Sequence, residues 1–212
     1  ACHAADGNST TPANPKLAGQ HPEYLIKQLQ EYKSGKRANA IMQGMAATLS
    51  EQDRRDVAAW YSSQSAKPSV ARNKDTLELG QRIWRAGIPE KSVPACAGCH
   101  GPAGSGIPAQ YPRIAGQHAE YTETTLKNFR DGARRNNAPM QQIAARLPAN
   151  GPDRVGERAR VAAVEQVVQS RPHLPAGAAW RCVAQLIASV QARHGVAGGR
   201  GRVSVVGKHR AC

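Results

Sequence analysis

Apolar positions along this chain recur at helical intervals, and nowhere do they alternate over a stretch long enough to make a strand. Tyr24, Leu25, Gln28, Leu29 and Tyr32 keep the spacing of one helix face, and Gly35 supplies the stop. Tyr121, Leu126 and Phe129 form a second such run, closed by Gly132. Ser50-Glu51-Gln52-Asp53 reads as an N-cap with an acidic first turn, leading into Val57, Ala58, Trp60 and Tyr61. Residues 64–74 make a polar linker, after which Leu77, Gly80, Ile83 and Trp84 predict a helix that opens a second domain. The pattern predicts an all-α chain, and no apolar run approaches the roughly 20 residues of a membrane span.

The chain also repeats itself. A shift of 97 positions lays Cys99-His100 on Cys2-His3, Pro112 on Pro15, Ile114-Ala115-Gly116-Gln117-His118 on Leu17-Ala18-Gly19-Gln20-His21, and Tyr121 on Tyr24. After a one-residue insertion, Met140, Ile143, Ala144, Ala145 and Leu147 fall on Met42, Met45, Ala46, Ala47 and Leu49. Self-similarity at this range means two copies of one structural unit. Each copy carries a Cys-His near its start and a Met about forty residues later.

Cys96-Ala97-Gly98-Cys99-His100 brings the most specific chemistry. C-x-x-C-H is the attachment signature of a covalently bound c-type haem, because positions i, i+3 and i+4 of a helical turn present two sulfurs and an imidazole to one flat ligand. Two other readings stay open: half a zinc site, though zinc wants four ligands and no second C-x-x-C exists, or a thiol-redox pair, which belongs beside a strand–helix–strand pattern absent here. Methionine separates them further. An axial Met opposite an axial His closes both faces of an iron and raises its potential, whereas a scattered Met fills gaps in a core. Only Met42, Met45 and Met140 exist; Met140 is the one candidate in its copy, so the alignment selects Met42 over Met45. With both faces closed, the iron would carry electrons and not react with substrate. An open axial position would instead make a peroxidase-like haem enzyme. Aromatics are 4% of the residues, and domains of about 70–90 residues usually need a staple, which a buried porphyrin would provide.

On these residues the chain resembles a dihaem class I cytochrome c of the periplasmic cytochrome c-four family. The resemblance rests on the haem motif, the NPKLAGQH and YPRIAGQH segments, the paired Met regions and the SEQDRRDVAAWYSSQ helix, and covers residues 1 to about 147. It implies two tandem small all-α domains, 1–70 and 71–147, each with one haem c, in a periplasmic monomer. Such a carrier passes electrons between respiratory-chain components, from a quinol–cytochrome c reductase and to a terminal oxidase. Cys96, Cys99, His100 and Met140 would hold the second haem, and Cys2, His3 and Met42 the first. It also offers the carbonyls of Pro15 and Pro112 as partners for the ligating imidazoles, unless these prolines are plain loop punctuation. His21 and His118, beside Gly-Gln at a helix start, read as surface or capping residues.

The two ends depart from the pattern. Ala1-Cys2-His3 lacks the first Cys of its motif, so either the first domain is N-terminally truncated and its haem site incomplete, or its haem is held by one thioether. After Leu147 the second copy should repeat the capped amphipathic helix, but residues 148–212 turn rich in Arg, Ala, Val and Gly. That atypical tail reads as a changed translation frame or disorder, against a real extension in which Val161, Val164, Val168, Trp180, Val183, Ile187 and Val190 keep helical spacing. The tail carries half of the net charge of +14, so the basic pI points to no nucleic acid. Cys182 and Cys212 have no C-x-x-C context. The remaining Lys and Arg suit long-range steering onto an acidic partner.

Overall fold

Among the described residues the chain forms seven α-helices and one 3-10 turn, with isolated bridges in place of any strand. The computed structural model describes residues 2–69, 76–148 and 155. The readings made for Val161 to Val190, Cys182 and Cys212 lie outside them. In the first copy, helix α1 (Pro22–Lys33) packs on α2 (Ala40–Ala47) and α3 (Glu51–Ser63). In the second, α4 (Leu77–Ala86), the 3-10 turn Pro89–Lys91 and the single turn α5 (Ala97–His100) precede α6 (Ala119–Arg130), which packs on α7 (Ala138–Arg146).

Local chemistry sets these boundaries. Pro22 starts α1, where its missing N–H costs nothing, and Gly35 follows the helix end in the left-handed region at φ 76°. Gly132 does the same after α6 at φ 74°. The predicted cap of α3 is a reciprocal box: Ser50 Oγ accepts from the Asp53 N–H at 3.1 Å and Asp53 accepts from the Ser50 N–H at 2.9 Å.

The two lobes fill their centres differently. Ile83, Ile88, Val93, Leu126, Leu147 and Val155 cluster in the second lobe, with Leu79, Cys96, Met140 and Ile143 against them. Val155 is thus buried although it lies in the stretch read as atypical. In the first lobe the buried apolar residues described are Leu25, Tyr32 and three alanines, Ala18, Ala46 and Ala58. Met45, equivalent to the packed Ile143, is 62% exposed.

A polar seam joins the lobes and follows the repeat. Gln20 brackets the backbone of Arg113, donating to its carbonyl at 2.9 Å and accepting from its N–H at 2.8 Å. The equivalent Gln117 brackets Lys16 at 3.0 and 2.9 Å. Arg37 donates to the Tyr121 hydroxyl at 2.8 Å, and its equivalent Arg134 to the Tyr24 hydroxyl at 3.2 Å. His21 and His118 do occupy the N-cap positions of α1 and α6, but neither side chain caps. Their Nε2 atoms donate across the seam instead, to the carbonyls of Ser105 at 3.0 Å and Ser9 at 2.9 Å, and His118 is buried. The surface or capping role read from the sequence is corrected accordingly: a ring beside the seam satisfies a carbonyl of the other lobe.

Candidate functional site

One helical turn assembles the second site. The His100 N–H bonds the Cys96 carbonyl at 2.9 Å, which closes α5 and sets Cys96, Cys99 and His100 along a single turn. His100 Nδ1 lies 3.0 Å from the Pro112 carbonyl. A carbonyl oxygen can only accept, so Nδ1 carries the proton and Nε2 keeps its lone pair. The first copy repeats this geometry, with His3 Nδ1 donating to the Pro15 carbonyl at 2.8 Å. Both prolines therefore orient imidazoles and are more than loop punctuation.

Burial shapes the protonation of the second site. It drives the His100 imidazolium below its ordinary range, a little offset by the Pro112 carbonyl, so the ring is held in its neutral, ligating form. Burial also pushes the Cys96 thiol up to about 11. Cys2, Cys96 and Cys99 form no disulfide; Cys2 is exposed and the other two are half-buried.

The methionines stand at matching helix starts. Asn39 caps α2 by accepting from the Met42 N–H at 2.9 Å, and Asn137 caps α7 by accepting from the Met140 N–H at 2.9 Å. Met140 and Cys96 lie against the same apolar cluster. Met42 is half-buried, while Met45 is exposed.

The residues present fit a haem. Arg113, next in sequence to Pro112, has its Nε buried without a hydrogen-bond partner, and burial lowers its pKa. A guanidinium nitrogen enclosed without a partner calls for an acceptor, and a haem brings two carboxylates. Among the described residues no group of three or more His, Cys, Asp or Glu side chains could hold a bare metal ion.

Sequence reasoning missed the seam residues and Tyr111, whose ring stands edge-on to the His100 ring at 6.0 Å and 71°. The recurrence of Gln20, Arg37 and Tyr24 as Gln117, Arg134 and Tyr121 was a signal for the first. Tyr111 has no such repeat, since Asn14 stands in its place.

Comparison with known proteins gives three points of reference. The family described as Cytochrome c matches residues 1–65 and 77–169, so the family pattern runs past Leu147, where the resemblance was expected to end. The cytochrome c4 of Thiocapsa roseopersicina is 48% identical over 151 residues, which cover 69% of this chain and 78% of that protein. A protein of Stutzerimonas stutzeri named thiosulfate dehydrogenase electron acceptor is 39% identical over 138 residues, 64% of each. The crystal structure of reduced recombinant cytochrome c4 from Pseudomonas stutzeri superposes with a TM-score of 0.71 at 38% identity, over 75% of this chain and 90% of that one.

Proposed function

The chain belongs to the cytochrome c family as a dihaem electron-transfer protein, and from that premise we propose that His100 and Met140 are the axial ligands of one haem iron and His3 and Met42 those of the other. Cys96 and Cys99 are the thioether anchors of the second haem, and Cys2 serves the first. Each haem has its own domain, 1–70 and one that begins at 71 and includes Val155. When bound, haem c supplies a one-electron iron couple. The protein's own part is to orient and to exclude. Pro15 and Pro112 fix the proximal rings through Nδ1 and so aim Nε2. Met42 and Met140 would each supply the second protein ligand of their haem, which would leave no position for oxygen or peroxide and make the protein a carrier and not a peroxidase-like enzyme. Arg113 Nε is the donor available to a haem carboxylate.

The carrier works in the periplasm, between a quinol–cytochrome c reductase and a terminal oxidase. No helix among the described residues is long and apolar enough to cross a membrane, and the surplus of Lys and Arg favours encounter with acidic docking faces. Similarity to the thiosulfate dehydrogenase electron acceptor supports a second reading for the donor, a thiosulfate-oxidising dehydrogenase.

The observation that carries the proposal is the repeated proximal geometry, an imidazole tethered through Nδ1 to a proline carbonyl in both lobes. A reduced-minus-oxidised visible spectrum with a haem-per-chain count tests it. Two six-coordinate low-spin haems per chain that leave carbon monoxide unbound are expected. Colourless protein matured in a host competent for haem attachment, or carbon monoxide binding to the reduced form, overturns it.

A further inference from the structure

The two proximal histidines are held alike by proline carbonyls, yet their neighbours differ. Tyr111 precedes the orienting Pro112, whereas Asn14 precedes Pro15. The Tyr111 ring meets the His100 ring edge-on, 6.0 Å between centroids. Its hydroxyl lies beside the Cys99 side chain and interacts with it electrostatically. One side chain thus packs on the proximal imidazole and stands beside one attachment cysteine, and Asn14 has no ring with which to do the same.

The backbone fixes Tyr111 in this position. Tyr111 and Ile107 exchange two backbone hydrogen bonds, at 2.9 and 3.0 Å. Ala109, at φ 67°, closes the loop between them in the left-handed region. Gly106 also lies in that region at φ 78°, and a Cβ there would stand 2.5 Å from the Tyr111 carbonyl and 2.7 Å from Pro112. The residue equivalent to Gly106 in the first copy is Ser9, and that equivalent to Ala109 is Pro12, which cannot adopt a positive φ. The clamp therefore belongs to the second lobe.

We propose that Tyr111 is a positioning residue that sets the potential of the second haem apart from that of the first, by fixing the His100 ring and by donating a hydrogen bond to the Cys99 sulfur. The proposal rests on the ligand assignment made above. A thioether sulfur carries no proton, so once haem is attached the hydroxyl is the donor. A donor held on that sulfur would favour the more electron-rich, reduced state of the haem attached through it. Asn14 leaves the first haem without this bias.

The test is a redox titration of the holoprotein in wild-type, Tyr111→Phe and Tyr111→Leu forms. Met140→His, which exchanges one thioether for an imidazole, marks the second haem's wave by displacing it. Tyr111→Phe keeps the ring and removes the donor: the second wave moves to lower potential, so that at the wild-type midpoint its reduced-to-oxidised ratio falls several-fold, and the first wave stays. Tyr111→Leu removes the ring as well and also displaces the paramagnetically shifted His100 resonances in proton NMR. A second wave that stays in Tyr111→Phe, moves upward, or moves together with the first overturns the proposal. If wild-type protein shows no haem, or the Met140→His variant displaces no wave, the fault lies with the ligand assignment instead.

Discussion

Three methionines are the candidates for two haem irons, and their surroundings separate them. Met42 is half-buried at the start of α2 with its N–H on Asn39, and Met45, one turn on, is 62% exposed. A thioether that coordinates iron stabilises the reduced state and closes the distal face. Met42→Ala is therefore expected to lower the potential of the first haem and to admit carbon monoxide on reduction, while Met45→Ala leaves both waves and the carbon monoxide difference spectrum as they are. Equal behaviour of the two variants would refute the choice between them. At this scale the sequence offers candidates where chemistry demands a particular side chain: thioether formation needs Cys, and closing both faces of a haem iron calls for His and Met. The proline carbonyls were half legible, because any residue carries a carbonyl and only the recurrence of Pro15 as Pro112 marks these two. Tyr111 was not legible, since it occurs in one copy alone.

Helices α2 and α7 share one device at the point where they present their methionines. Asn39 and Asn137 take the N–H groups of Met42 and Met140, so the side chain that ends the loop also fixes the residue assigned to iron. Replacing an N-cap side chain by Ala costs about 1 kcal/mol. Ser50 caps α3, which carries no assigned ligand, and offers the control. Ser50→Ala and Asn137→Ala are each expected to lose about that much stability in chemical denaturation of the holoprotein. Only Asn137→Ala should also weaken the iron–thioether charge-transfer absorbance, by letting the first turn of α7 fray. The α3 box could be read directly from Ser-x-x-Asp, since both of its partners are local. The Asn caps were missed because the apolar run after each is too short for its period to show. The four-residue α5 could be anticipated only through its cysteine motif.

Across the whole molecule, the seam is built from residues that a sequence would assign to a solvated surface. Arg37 and Arg134, both buried, stack on Tyr32 and Phe129 at 4.6 and 4.4 Å from the ring centroids. Asn136 links Gln28 of α1, at 2.9 Å, with Glu31, at 2.6 Å. Polar residues on a helix face normally meet water, so only the pairing of equivalent residues across the repeat could have betrayed them. Glu31 makes the seam sensitive to acid. Burial alone would raise its carboxyl pKa, but hydrogen bonds from Lys27 and Asn136 and the charges of Lys27 and Lys36 outweigh burial and leave it below its ordinary 4.5. The native state then binds this proton more weakly than the unfolded chain does. Its contribution is complete above pH 4.5 and is lost as pH falls through the lowered native value. Unfolding of the holoprotein by urea, followed from pH 7 downward, should show wild-type stability falling away below about 4.5. The acid limb of Glu31→Gln should be shallower, because an amide has no proton to gain. Because Glu31 reaches across to Asn136, the same titration should loosen the lobes from each other before either loses its haem, visible as a rise in hydrodynamic radius that precedes any change in the haem spectrum. Parallel acid limbs in the two proteins would show that the carboxylate does not couple the seam to pH.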